Sequence, residues 1–282
     1  MIKNTIPRLL SLDVFRGITI VLMIIVNSPG NPKPYGWFVH SAWDGCTLAD
    51  LVFPFFVIIV GISSVFALSN LKAKAIPSIQ IFKKVLWRSI TIFLLGLFLN
   101  AFPHHLLDVS SLRFMGVLQR IAICYFISAC LFLTSSMRTQ AYIVCLLLIS
   151  YACTPWILSG DLVGYIDRLL LSSHHLYTPT FDPEGLLSTF PAIASVLLGN
   201  LLGFQLITSQ TPKQKMVWML LSGVLLALLG WWVGVILPIN KALWSSSYVL
   251  WTTGIFLFSF ALVYGLIELK GWQRWSTVFN LF

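Results

Sequence analysis

The chain is a succession of long apolar runs separated by short polar ones. An α-helix needs about 20 apolar residues to cross the hydrocarbon core of a bilayer. Eight stretches reach that scale, near residues 12–29, 48–69, 85–102, 114–134, 141–158, 188–207, 216–239 and 247–268. None shows the period-two alternation of a barrel strand. The expected fold is all-α, a polytopic membrane bundle of about eight transmembrane helices. Spacing over 162–171 permits a short interfacial helix. After it comes Asp182-Pro183-Glu184-Gly185, a turn-forming string. No internal repeat or low-complexity linker interrupts the pattern, so residues 1–282 read as a single transmembrane domain.

Composition agrees with the pattern. Hydrophobic residues make up 58% of the 282 and charged ones only 10%, against roughly 25% charged in soluble domains. The net charge of +9 would suggest nucleic acid in a soluble protein. Here it follows alternate loops, as the positive-inside rule describes, and no nucleic-acid partner is expected. Lys3 and Arg8 precede the first run. Lys72, Lys74, Lys83, Lys84 and Arg88 lie around the loop after the second. Arg138, Lys213, Lys215, Lys270 and Arg274 mark further alternate connections. The other side holds only Lys33, Arg113, Arg168 and Lys241. The N-terminus is therefore expected in the cytoplasm. The longer loops, 30–47, 103–113 and 159–187, then lie outside and carry all five histidines. The first run lacks a small-residue cleavage site and reads as an uncleaved helix.

Of the five cysteines, only Cys46 lies in a loop. Cys124, Cys130, Cys145 and Cys153 fall within apolar runs, and no disulfide framework or metal spacing appears.

Candidate chemistry concentrates in HSAWDGCTLADLVFPFF, residues 40–56. Thr47 and Asp50 fit a capping box at the start of the second helix. Pro54 has no N–H, so the Asp50 carbonyl loses its helical partner; a broken first turn of this kind often lines a cavity. His40 is either an interfacial residue among Trp37, Phe38 and Trp43 or an acid–base group oriented by Asp44 or Asp50. Asn27 closes the first run on the same side.

Arg120 lies about 10 Å inside the fourth run at 1.5 Å per residue. A cation at that depth is expected to face a partner or a water-filled cavity, with Asp50 and Glu184 as candidate counter-ions and Gln119 beside it. Asn200 sits between Gly199 and Gly203, a spacing that favours close helix packing, and reads as an interhelical hydrogen bond. Asp13 and Arg16 form an i,i+3 pair. The pairs His104–His105 and His174–His175 point about 100° apart on a helix and make poor metal sites; solvated loop histidines are expected. From the residues alone, an enzyme and a transporter remain equally open.

Five ordered strings go further: LSLDVFRGITIVLMIIVN, HSAWDGCTLADLVFPFFVIIVGIS, LRFMGVLQRIAICY, FDPEGLLSTFPAIASVLLGNLLG and LPINKALWSSSYVL. Together they resemble the heparan-α-glucosaminide N-acetyltransferase family, from about residue 8 to the C-terminus. The resemblance implies a transmembrane acyltransferase that moves acetyl from cytoplasmic acetyl-CoA to an amino sugar or glycan across the membrane. It implies His40 as the catalytic base or transient acetyl carrier, with Asp50 orienting it and Asn27 donating a hydrogen bond. Lys83, Lys84 and Arg88 are candidates for the CoA phosphates and Arg120 for the pantetheine region. Asp44, Asp182 and Glu184 are candidates for the amino sugar. No metal is expected, and a homodimer is a candidate assembly. A bacterial inner membrane is the expected location. The rival class is an amino-sugar transporter without acyl transfer. Two tryptophans in the closing GWQRWSTVFNLF resemble the approach to another span, so the reading also allows an inactive chain lacking its last helices. The acyltransferase reading needs a passage joining His40 to the basic side.

Overall fold

The computed structural model describes residues 6–28, 30, 35–102, 112–157, 161–208 and 210–281. Lys3, Lys33, His104 and His105 lie outside the described residues. Each of the eight predicted runs is a helix: α1 Leu10–Asn27, α2 Leu48–Ala73, α3 Ser78–Ala101, α4 Val117–Thr134, α5 Met137–Ala152, α7 Thr189–Leu206, α8 Pro212–Val233 and α9 Ser246–Tyr264. Between them, the expected interfacial segment is α6, Leu162–Leu171. Among the described residues, seven helices are long and apolar enough to cross a membrane: α1, α2, α4, α5, α7, α8 and α9. The remaining long helix, α3, carries Lys83, Lys84 and Arg88 in its first three turns.

Local chemistry moves several boundaries. Pro77 starts α3 seven residues before the apolar run, so Lys83, Lys84 and Arg88 ride on a helix rather than in a loop. Thr211, Pro212 and Gln214 start α8 early through a capping box. Ser136 accepts from the Thr139 N–H and starts α5 at Met137.

The centre of the bundle is the α2–α7 pair. Both helices are apolar on all sides, as a helix surrounded by others must be. Their axes approach closely because Gly61 and Gly199 face one another. A Cβ on Gly61 would strike the Val196 carbonyl, and one on Gly199 the Ile58 carbonyl. Asn200 accepts from Ser128 Oγ at 2.9 Å and donates to Gln140 Oε1 at 3.0 Å. It thereby joins α7 to α4 and α5, the interhelical bond expected of it. Around this pair, α1 and α9 pack through Phe15, Phe55, Phe256 and Phe260. The α8 helix lies against α9 across Gly223, Gly230 and Gly254 and turns an apolar outer face, including Leu221, Leu225 and Leu228, away from the protein.

Arg16 completes the expected i,i+3 pair with Asp13 at 3.3 Å and also donates to Ser63 on α2 at 2.9 Å. The segment Arg274–Leu281 is a 3-10 helix lying on α1, where the Phe279 backbone fills the space over Gly17. Of the two closing tryptophans, Trp275 belongs to this helix, while Trp272 precedes it and is exposed.

A valine at Gly61 should separate α2 from α7. The detergent-solubilised Gly61→Val variant is expected to melt several degrees below wild type. Gly36→Val, placed where a Cβ meets nothing, should melt within a degree of it.

Candidate active site

The N-terminus of α2, the C-terminus of α1, the N-terminus of α4 and the loop between α8 and α9 meet at one end of the bundle. They enclose a cavity of about 920 Å³. Its walls are mostly apolar, with Ile20, Met23 and Val26 from α1, Val52, Phe53 and Phe56 from α2, and Leu118 and Ile121 from α4. Polar groups gather at its mouth: Asn27, His40, Asp50, Glu184 and Lys241.

Asp50 is fully buried, and its carboxylate is saturated. Oδ2 accepts from the backbone N–H groups of Ser41 and Thr47, both at 3.0 Å. The Thr47 hydroxyl also lies 3.0 Å from Oδ2 and 2.8 Å from the Val39 carbonyl. This is the expected capping box. Oδ1 faces His40 Nδ1 at 2.8 Å and Lys241 Nζ at 3.3 Å. Asp50 therefore orients His40, and the His40 side chain stays half exposed. Asp44 plays no part in that orientation. It accepts from Asn240 Nδ2 at 3.0 Å and pairs its backbone with Asn240 in an isolated antiparallel bridge.

The free Asp50 carbonyl expected from Pro54 is not free. Tyr248 of α9 donates its hydroxyl to that oxygen at 2.5 Å. Proline removed the helical donor, and a distant tyrosine replaced it.

The Cys46 thiol beside this turn is pushed up to about 12 by burial, with the Asp50 charge adding to it. It stays protonated near neutral pH and is a poor nucleophile there.

Arg120 is a correction to the ion-pair expectation. It is completely buried on α4, but its bonds go to the Ser188 hydroxyl and, at 3.4 Å, the Gly185 carbonyl. Its guanidinium lies 5.1 Å from the Trp244 ring, behind the cavity wall. Nε and Nη1 have no hydrogen-bond partner, nor does the neighbouring Gln119 Nε2. Of the two carboxylates expected for it, Asp50 faces His40 and Lys241, and Glu184 is held by Arg113 at 2.5 Å; Arg113 also reaches Asp182 at 2.5 and 2.8 Å. Asp182 and Glu184 hold the Arg113 guanidinium protonated beyond its ordinary range against the opposing effect of burial. Asp182 is fully buried in this pairing and does not line the cavity; Glu184 does. Asp167, unremarked in the sequence, accepts from the Leu186 and Asp182 N–H groups and ties α6 to the same loop. Burial raises its carboxyl above the ordinary range. His175 is also a correction: it stacks on Phe114 with centroids 4.2 Å apart and meets the Leu112 carbonyl at 2.7 Å, so it is not simply solvated.

Lys83, Lys84 and Arg88 are exposed on α3, level with Leu68 and Phe132. That is the opposite end of α2 and α4 from His40. The cavity stops near Ile20, Phe56 and Ile121, about 10 Å below Asn27 at 1.5 Å per residue. Among the described residues, the cavity's lining does not include Lys83, Lys84 or Arg88.

Sequence reasoning passed over Lys241 and Tyr248. Lys241 read as a stray charge on the cation-poor side, and that poverty was itself the usable signal.

Fold and site together define a class: a polytopic helical membrane protein with a histidine–aspartate pair at the mouth of an apolar cavity. Comparison with known proteins narrows it. The chain belongs to the heparan-α-glucosaminide N-acetyltransferase family, whose sequence profile, described as "Heparan-alpha-glucosaminide N-acetyltransferase, catalytic", matches residues 8–232. It is 30% identical over 336 aligned residues to the Homo sapiens protein named heparan-alpha-glucosaminide N-acetyltransferase, covering 94% of this chain and 50% of that one. The Mus musculus protein of the same name is also 30% identical, over 95% of this chain and 51% of its own length. The chain thus spans about half the length of these curated relatives.

Two substitutions check the supporting bonds by denaturation in detergent. Tyr248→Phe leaves a buried carbonyl without a donor and should cost about 1–3 kcal/mol. Arg113→Met strands the buried Asp182 carboxylate and should cost about 3 kcal/mol or more.

Proposed function

We propose that the chain is a membrane-embedded acyltransferase that moves an acetyl group from acetyl-CoA to the amine of an amino sugar. One observation carries the reading: His40 is oriented at 2.8 Å by a buried, saturated aspartate at the mouth of a cavity, in a chain of this family.

Acyl transfer to an amine needs a group to take the amine proton and donors for the developing oxyanion. Asp50 holds the Nδ1 side of His40, which directs Nε2 toward incoming groups. His40 then either takes the proton from the acceptor amine and returns it to the leaving thiolate, or holds the acetyl group between two transfers. Asn27, on the same wall, is positioned to hydrogen-bond the substrate. Of the three acidic side chains predicted for the sugar, Glu184 is the one that lines the cavity, although it also pairs with Arg113. It keeps the acceptor role on that ground, while Asp44 and Asp182, bound to Asn240 and Arg113, are not among the lining residues.

The cavity suits one part of acetyl-CoA. Ligand sites commonly measure 300–1,000 Å³, and apolar walls with polar groups at one end fit an acetyl-pantetheine arm. The phosphates find no matching cluster there, because Lys241 is the only Lys or Arg among the lining residues. Lys83, Lys84 and Arg88 stand at the opposite end, where acidic groups would be attracted. Delivery from that end needs a route that continues past the cavity floor near Phe56. By the positive-inside rule the His40 end faces away from the cytoplasm.

Purified protein with radiolabelled acetyl-CoA and glucosamine tests the reading. Wild type is expected to form labelled N-acetylglucosamine, and His40→Ala to lose about 10²–10⁴-fold in rate. Transfer by His40→Ala at the wild-type rate would refute the assignment. Acetyl-enzyme trapped by fast quenching without acceptor separates the carrier from the base role.

A further inference from the structure

Beyond the histidine–aspartate pair, the site holds a third charged group. It comes from the loop between α8 and α9, outside the stretch matched by the family profile, which ends at residue 232. Lys241 Nζ stands 3.0 Å from His40 Nδ1, 3.5 Å from His40 Nε2 and 3.3 Å from Asp50 Oδ1. We propose that Lys241 is a catalytic residue of this site, and that its ammonium receives the oxyanion formed when the thioester carbonyl is attacked. The assignment rests on the acyltransferase reading above.

The proton inventory supports it. Asp50 Oδ1 and His40 Nδ1 are 2.8 Å apart, so a proton must lie between them, and a carboxylate that already accepts two backbone N–H bonds is the acceptor. Nδ1 therefore carries hydrogen and offers no lone pair to Lys241. The acceptor left for the ammonium is Asp50 Oδ1, at 3.3 Å. An ammonium has three donors. Beyond that oxygen and its 3.5 Å approach to Nε2, no acceptor for Lys241 is found among the described residues. The side chain is only 23% exposed and lines the cavity. An acyl oxygen reacting at or beside Nε2 comes within hydrogen-bonding reach of those spare donors.

The loop is built to hold this position. The Gly45 N–H donates to the Ile239 carbonyl at 2.7 Å, and Asn240 pairs with Asp44. Asn240 Oδ1 accepts from the Leu243 N–H at 2.8 Å, and Tyr151 donates to the Leu243 carbonyl at 2.5 Å. Trp244 is fully buried at φ +53°, a left-handed conformation that bulky residues rarely adopt. Packing against Phe53 and Tyr248 and a hydrogen bond to Ser195 secure it. Strain of this sort tends to collect where a loop must place a functional group.

In the step, the acceptor nitrogen forms a bond to the thioester carbon, and the carbonyl π electrons move to oxygen beside Lys241. The nitrogen's proton goes to His40 Nε2. Collapse breaks the C–S bond, and the thiolate takes that proton. Lys241 gives up no proton and contributes only its charge and donors.

The test compares wild type, Lys241→Met and Lys241→Arg in detergent with radiolabelled acetyl-CoA and glucosamine, and records melting temperatures in parallel. Loss of one oxyanion donor typically costs about 10²–10³-fold in kcat. Lys241→Met is expected to lose about 100-fold in kcat with KM for acetyl-CoA within about threefold. Lys241→Arg should recover to within about tenfold of wild type, and both should melt near wild type. Lys241→Met turning over at the wild-type rate would overturn the assignment while leaving the acyltransferase reading in place. A loss expressed only in KM, or a lowered melting temperature that Arg does not restore in activity, would overturn it in favour of a structural role. A wild-type protein that transfers no acetyl would overturn the functional reading and this assignment together.

Discussion

The Asp50 carboxylate is the interaction on which the functional end of the bundle depends. A buried anion is tolerated only when donors surround it. Here the donors are the Ser41 and Thr47 backbones, the His40 ring and the Lys241 ammonium. Satisfying one charge thus gathers the 40s loop, the first turn of α2 and the α8–α9 loop into a single arrangement. The same residue's carbonyl draws in Tyr248 from α9. Capping a helix and orienting a histidine are often alternative explanations of an aspartate. Here they are one geometry, because the cap holds Oδ2 while Oδ1 faces the histidine.

Helix positions were readable because a bilayer-spanning segment advertises itself by length and apolarity alone. The cap at Thr47–Asp50 was readable because it is local. His40 and Asp50 lie ten residues apart, so their encounter was within reach of pattern reasoning. What escaped were partners separated by long stretches of sequence. Lys241 is 201 residues from His40 and Tyr248 is 198 from Asp50; no periodicity links them. Arg120 shows a different limit. Depth and charge correctly marked it as unusual, but other partners hold the expected acids: Arg113 takes Glu184, and His40 and Lys241 take Asp50. Competition among neighbours is a three-dimensional fact.

The frame supporting the site is packed closest where glycine removes side chains. The α2–α7 contact at Gly61 and Gly199 fixes the level at which α2 begins. The loop around Asp182, bound by Arg113 and Asp167, fixes where α7 begins. Glu184 projects from that loop into the cavity, so structural acids and a candidate binding acid share one short turn. By contrast α8 touches mainly α9 and shows a broad apolar face outward, a surface suited to hydrocarbon neighbours.

Pro54 has a consequence for biogenesis. By removing the N–H that would have served the Asp50 carbonyl, it leaves α2 incomplete until Tyr248 of α9 arrives. Ribosomes make chains from the N-terminus, so α2 through α8 must enter the bilayer before that oxygen acquires its donor. A nascent chain halted at residue 232 would contain everything the family profile matches, yet its second helix would still hold an unanswered polar atom beside lipid. The proline thereby makes the arrival of α9 a checkpoint on the completion of α2.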